Sequence, residues 1–335
     1  MSATASILLS ELEFTLLNAF QRDFPLLPRP FAALAAQLRT DEQAVIAALR
    51  RLQQRGMISR VGAVFRPNAI GASTLAALAV PAARVVEVAT IINGHPEVNH
   101  NYEREHRYNL WFVATAPSAR ELQAVLQDIE DRSACGSLLV LPMLEDFHID
   151  LGFDLATQEN HYDASSPDLR QRSVQLSDAE RALVAALQDG LPLVERPYAR
   201  LGVPEDDAIA TISRWVDAAV IKRFGVVVRH HELGYTANAM AVWDVPDDIA
   251  GDFGKRIAAT GNVTLCYRRK RQLPEWRYNL FCMVHGKDRE EVAERVAALD
   301  ERCGLAVYPH DLLFSRRRFK QHGARYAPAC EAAHG

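Results

Sequence analysis

The chain has 335 residues, 49% of them hydrophobic and 24% charged, with a net charge of −4. That length exceeds one ordinary core, so two or more domains are expected, and the slight acidity gives no overall attraction to nucleic acid. No apolar run reaches the roughly 18 residues of a membrane span. The opening MSATASILLSELEF lacks the basic start of a signal peptide. The five cysteines, Cys135, Cys266, Cys282, Cys303 and Cys330, show no C-x-x-C spacing, which argues against zinc, an iron–sulfur cluster or a disulfide scaffold and suits a reducing cytoplasm.

In chain order, three helices are expected at Glu11–Phe20, Pro30–Leu38 and Asp41–Gln54. The third places Val45, Leu49 and Leu52 on one face, with Thr40 as its cap and Gly56 as its stop. Strands are then expected at Val61–Arg66 and Leu75–Pro81, a helix at Arg84–Asn93, strands at Val98–Tyr102 and Asn109–Thr115, a helix at Ser118–Arg132 and a strand at Leu138–Leu144. Residues 154–175 are polar and aperiodic, a linker. The same order then returns. Helices are expected at Ser177–Leu187, Val194–Leu201 and Glu205–Ala219, strands at Gly225–Arg229 and Ala237–Val245, and a helix at Asp248–Thr260. Strands at Val263–Tyr267 and Tyr278–His285, a helix at Asp288–Arg302 and a strand at Leu305–Leu313 complete the copy.

This is a duplication. Gly62, Arg66 and Gly71 recur 163 positions later as Gly225, Arg229 and Gly234. RYNLWFV at Arg107–Val113 recurs as RYNLFCM at Arg277–Met283, and Cys135, Pro142 and Phe147 are matched with Cys303, Pro309 and Phe314. Each copy reads as a winged helix-turn-helix followed by a ferredoxin-like βαββαβ sandwich, an α+β fold. The expected divisions are 1–60 and 61–153 for copy one, 176–222 and 223–320 for copy two, and a tail at 321–335.

A helix-turn-helix joined to a ferredoxin-like sandwich resembles the Lrp/AsnC family of bacterial regulators. The string HNYEREHRYNLWFV at His100–Val113 resembles more specifically the signature of the siroheme decarboxylases, an enzymatic branch of that family. The fused two-copy arrangement resembles the denitrifier form that acts in heme d1 synthesis. The resemblance spans residues 11–320. It implies a cytoplasmic enzyme that removes two acetate carboxylates of siroheme as CO2, giving 12,18-didecarboxysiroheme. It also implies an intramolecular pair of sandwiches, with further association of chains left open. The alternative is a ligand-responsive, DNA-binding regulator. Residues Asp41–Arg55 carry a net charge of +1 with the acid at the DNA-facing start, and Glu205–Ile221 carry −3. That pattern suits a helix dipole and opposes a phosphate backbone.

The chemistry is expected between the third and fourth strands of each sandwich. Copy one carries His100 and His106, which copy two lacks; copy two carries Arg268, Arg269, Lys270, Arg271 and Arg277. Imidazole titrates near neutrality and suits proton delivery to the carbon that loses CO2. Siroheme, the substrate that the resemblance implies, bears eight carboxylates. Arginine pairs bidentately with carboxylate, so Arg66, Arg104, Arg107, Arg229, Arg268, Arg269, Arg271 and Arg277, with Tyr102 and Asn109, are the candidate binding residues. No cofactor or resident metal is required by this scheme, since iron arrives with the siroheme. His100 or His106 could also contact that iron axially, as could His230, His231 or His285. The run Arg316–Lys320 reads as a solvated C-terminal face.

Overall fold

The computed structural model describes residues 9–149, 174–229, 237–261 and 263–326. The linker 154–175 thus lies almost wholly outside the described residues, as do His230 and His231.

The helix-turn-helix of copy one is α1 (Glu11–Ala19), α2 (Pro30–Leu38) and α3 (Glu42–Gln54), followed by the wing strand β1 (Ile58–Phe65). Ser10 and Glu13 form a capping box at α1, and Asp41 caps α3. The sandwich of copy one is β2 (Ala72–Leu78), α4 (Val85–Asn93), β3 (Val98–Arg104), β4 (Leu110–Ala116), α5 (Ala119–Ser133), β5 (Leu139–Leu141) and β6 (Met143–Ile149). Copy two follows with α6 (Asp178–Leu187), α7 (Glu205–Asp217) and β7 (Ile221–Val228), then β8 (Ala237–Trp243), α8 (Ala250–Ala258), β9 (Leu265–Arg269), β10 (Leu280–Gly286), α9 (Arg289–Cys303) and β11 (His310–Gln321). The helix expected at Val194–Leu201 is only a 3₁₀ turn at Tyr198–Arg200. Pro197 sits inside that segment, where it removes an amide donor and disfavours a helical conformation at the residue before it.

The wing strands pair with each other instead of joining the sandwiches. β1 and β7 run antiparallel with Gly62 opposite Gly225, so the two glycines that repeat in sequence meet at the pseudo-twofold axis. Both must be glycine because other backbone crowds them. A Cβ on Gly225 would lie 2.4 Å from the Phe20 carbonyl oxygen, and one on Gly62 would lie 3.2 Å from the Gly190 Cα. The two helix-turn-helix units therefore share one core, with Leu16, Leu49 and Phe65 from copy one packed with Leu187, Ile212 and Trp215 from copy two.

The remaining nine strands form one sheet in the order β5-β2-β4-β3-β11-β8-β10-β9-β6. β5 and β6 are separated by Pro142 alone, so the sheet turns round on itself and its two ends meet. The final strand of each copy crosses from its own sheet to the other. β5 pairs with β2 of copy one while β6 pairs with β9 of copy two. Likewise β11 pairs with β8 over His310–Phe314 and with β3 over Ser315–Gln321. Leu75, Ala77, Trp111 and Leu141 of one half meet Met240, Val242, Phe281 and Leu313 of the other between the sheets, around a fully buried Trp276. The helices cover the outer faces.

This register corrects the matching of the last strands. Leu141 occupies the place of Leu313, and Met143 that of Ser315. Phe147 therefore corresponds to Phe319, not Phe314. Phe147 packs on the core of copy two and Phe319 on that of copy one. The tail also departs from expectation, because Tyr326 is buried against Phe65 in the helix-turn-helix core. Trp276 bridges both halves of the inter-sheet core, so Trp276→Ala is expected to lower stability by about 3–5 kcal/mol, read from the midpoint of guanidinium unfolding. A loss under ~1 kcal/mol would contradict the packing described.

Candidate active site

Alternate residues of a strand share a face. On β3, His100, Tyr102 and Arg104 form a ladder on the side away from the helices. The His100 and Tyr102 rings stack with centroids 6.4 Å apart, and the Arg104 guanidinium lies 5.6 Å from the Tyr102 ring centroid. Asn101 points the other way, donating to the Ala89 carbonyl and to Asn93 of α4. Copy two repeats the ladder with Leu265, Tyr267 and Arg269, the arginine 5.1 Å from the tyrosine ring centroid. The rung that differs is His100 against Leu265.

Arg104 and Arg269 are 6% and 9% exposed, and burial lowers each guanidinium to about 10. Arg104 donates to the Leu313 carbonyl at 2.9 Å, and Arg269 donates to the Leu141 carbonyl at 2.8 Å. Those carbonyls lie where β11 and the β5–β6 strand leave one sheet for the other. The two arginines expected to bind substrate thus pin the strand crossings.

The other arginine candidates separate by location. Arg66 donates to the Ala219 carbonyl just beyond α7, at 3.2 Å, and so closes that helix. Arg271 reaches Asp244 at 2.8 Å, Asp247 at 2.6 Å and the Val245 carbonyl; Arg277 reaches Asp244 at 2.7 Å. Arg268 lies 3.9 Å from Glu145 and 3.7 Å from Asp247. The basic loop of copy two is therefore neutralised by carboxylates that stand elsewhere in the sequence, and it does not present an open cluster. Arg107 is exposed over the Tyr108 ring. Asn109 exchanges both side-chain bonds with the Val80 backbone, as Asn279 does with Val245. Asn109 is framework.

His106 stands at the other end of β3 from His100. Its Nδ1 accepts the Tyr108 amide at 3.0 Å, and its Nε2 lies 3.7 Å from the Asp311 carboxylate. Trp276 meets its ring edge-on at 5.4 Å. Burial holds this imidazole below its ordinary pKa, with Asp311 working in the opposite direction. The two motif histidines therefore do not converge. His285, the remaining described candidate, contacts the Thr264 hydroxyl at 3.2 Å.

The cationic cleft lies instead where the end of β11 meets copy two's wing. Arg229, Arg318, Phe319, Lys320 and Gln321 line a cavity of ≈ 140 Å³. Arg318 is opposite Tyr102 and Gln321 opposite His100 in the β11–β3 register, so this cavity adjoins the His100 ladder. Burial, and then the charge of the neighbouring His322, lowers His100 to about 4. Burial raises Tyr102, which Arg104 and Arg318 oppose. The run containing Arg318 was expected to be a solvated face, and Arg316, Arg317 and Arg318 are exposed; the strand crossing, which the sequence does not display, sets Arg318 beside Tyr102. On the copy-two side the same positions hold Asp146 for Arg318 and His148 for Lys320, beside Lys222 at 3.9 Å from Asp146. One side of the pseudo-axis thus sets Arg318 beside the His100 ladder, and the other sets Asp146 beside Leu265, with His148 and Lys222 close by.

The copy-two network has a pH signature. Although burial works to raise it, bonds and charge from Arg271 and Arg277 hold Asp244 below its ordinary pKa. Its contribution is complete above the unfolded value of about 3.9 and is lost as pH falls through the lower folded value. Asp244→Asn should therefore melt below wild type at pH 7, with the gap closing below about pH 4. An unchanged gap at acid pH would contradict this.

Two family profiles match the chain. The AsnC-like ligand binding domain matches residues 69–148 and 232–320, and the siroheme decarboxylase NirDL-like HTH domain matches 13–58 and 180–221. The siroheme decarboxylase NirDL subunit of Paracoccus denitrificans is 44% identical over 95% of this chain and 98% of its own length. The siroheme decarboxylase of Hydrogenobacter thermophilus is 33% identical over 93% of each. A solved structure of siroheme decarboxylase NirDL in co-complex with an iron-uroporphyrin III analogue superposes with a TM-score of 0.69 at 30% identity, covering 94% of this chain and 93% of that one. With its paired sandwiches, its shared helix-turn-helix core and this extent of identity, the chain belongs to the siroheme decarboxylase family.

Proposed function

We propose that this chain decarboxylates siroheme where the cavity lined by Arg229 and Arg318 adjoins His100 and Tyr102, removing two acetate carboxylates to give 12,18-didecarboxysiroheme. The observation that carries the placement is the asymmetry of the pseudo-twofold. The cationic cavity and the histidine fall on one side, while Leu265 and Asp146 fill the corresponding places on the other. Arg229 and Arg318 hold peripheral carboxylates of the tetrapyrrole, as guanidinium groups suit. The scissile acetate loses CO2, leaving its bonding electrons on the methylene carbon, and His100 gives that carbon a proton so that a methyl group remains. Each acetate therefore releases one CO2 and consumes one proton.

Burial lowers His100 to about 4, so at neutral pH it is uncharged before substrate binds. A bound polyanion reverses the balance, because opposite charge nearby favours the imidazolium. The acid form belongs to the complex, and substrate binding loads the proton. No further cofactor enters this scheme; iron comes with the substrate. The described thiols are free, which fits work in the cytoplasm. Among the described residues no helix is long and apolar enough to cross a membrane.

The regulator reading is disfavoured by the recognition helices. Glu42 at the start of α3 pairs with Arg29, Gln43 reaches Glu195 of copy two at 3.0 Å, and Arg50 donates to the Leu193 carbonyl at 2.7 Å. The α3 surface that would approach DNA is engaged by the other copy.

Anaerobic incubation with siroheme, followed by mass spectrometry, should show two successive losses of CO2; an unchanged mass would return the chain to the regulator class. His100→Ala should bind siroheme within about threefold of wild type and yield no product. Arg318→Gln should raise KM about tenfold, the scale of one lost charged contact, whereas Arg277→Gln should leave it unchanged. Equal effects of the two arginine changes would contradict the placement of the cleft.

A further inference from the structure

His100 does not sit on a regular strand. In the β3–β4 ladder Val98 pairs with Ala114 and His100 with Val113, so Asn99 is an extra residue, a β-bulge immediately before the histidine. Bulges bend a strand and re-aim the adjoining side chain, and they recur beside active sites. Past this point the two copies pair alike, with Leu265, Cys266, Tyr267 and Arg268 opposite Met283, Cys282, Phe281 and Leu280, and Thr264, in the place of Asn99, donates its amide to the Met283 carbonyl at 3.1 Å.

An extra residue leaves backbone groups without a ladder partner, and buried groups of that kind must be satisfied. The partner comes from the far end of the chain. After β11 the backbone runs as a strap from His322 to Tyr326, which is buried in the helix-turn-helix core. The His322 amide donates to the Asn99 carbonyl at 2.9 Å. Its imidazole Nδ1 lies 2.6 Å from the Gly323 carbonyl oxygen. His322 thus holds the residue before His100 through its amide and the strap through its ring. Gly71 keeps the strap seated, since a Cβ there would lie 2.9 Å from the Tyr326 ring.

We infer that His322 is a positioning residue for the decarboxylation: the C-terminal strap of copy two holds the bulge of copy one in shape and so aims His100 at the substrate. This rests on the functional reading above and adds to it a residue outside the signature motif. It also gives the fusion of the two copies a chemical consequence, because the aim of a histidine in copy one depends on residues 322–326 of copy two. The titratable or charged groups around His100 are Tyr102 on its own strand, Arg318 near Tyr102, and His322; β4 offers only Val113.

The test compares His322→Ala with His322→Gln, whose amide can still donate to a backbone carbonyl. His322→Ala should lower kcat about 100-fold, the cost of a small misplacement, with KM for siroheme within about threefold, and His322→Gln should recover most of the rate. Removing the neighbouring charge should raise the pH at which His100 titrates in both variants, so rescue by glutamine separates aim from electrostatics. Wild-type kcat in His322→Ala would overturn the inference. So would a glutamine variant that keeps the wild-type melting temperature but is as inactive as the alanine one, since the imidazole itself would then be required. The His100 imidazole NMR signals provide a readout without turnover. They should shift and broaden in His322→Ala and stay sharp in His322→Gln, and His100 signals that stay as sharp in His322→Ala as in wild type would overturn the inference. If wild type itself released no CO2 from siroheme, the functional reading would fail while this measurement still decided the positioning.

Discussion

The strand crossing governs the rest of this molecule. A ferredoxin-like sandwich has one sheet face covered by helices and one face bare, and two such faces can bury each other. Here the union is more than face packing, because each final strand completes the sheet of both copies. A strand that changes sheets leaves a carbonyl at the bend without its ladder partner. Arg104 fills that need at Leu313 and Arg269 at Leu141. A charge-assisted bond of this kind contributes about 1.5–3 kcal/mol, against the cost of burying a guanidinium with no carboxylate beside it. That both copies keep the arrangement marks it as the requirement of the fold.

The crossing also decides which charges stand beside His100. It carries the basic end of β11 over to β3, so Arg318 and Gln321 of copy two become neighbours of Tyr102 and His100 of copy one. The reciprocal crossing carries Glu145, Asp146 and His148 to β9. Two equivalent scaffolds thereby acquire different electrostatics from their borrowed strands, a cationic cleft on one side and a mixed one on the other. The substrate of the proposed reaction is a polyanion, which fits the first and not the second.

Much of the fold was legible. The repeat of Gly62 and Gly225 foretold a pseudo-dimer, and the periodicity of Val45, Leu49 and Leu52 foretold α3. The site was legible only in part. His100 stood out because Leu265 replaces it in the other copy, a comparison that sequence permits. The arginines of the copy-two loop misled, because Asp244 and Asp247 neutralise them from more than twenty residues away. Arg318 was read as part of a solvated run, since the identity of its neighbouring strand depends on a crossing that no local pattern encodes. His106 shares the motif with His100 but lies at the opposite end of β3, against Asp311 and Trp276.

A structure of this chain with iron-uroporphyrin III bound tests the central claim most directly. The account predicts one macrocycle per chain between the β11 end and copy two's wing, with carboxylates on Arg229 and Arg318 and a ring substituent within reach of His100. A macrocycle seated against Arg271 and Arg277, or on the Leu265 side of the pseudo-axis, would contradict it.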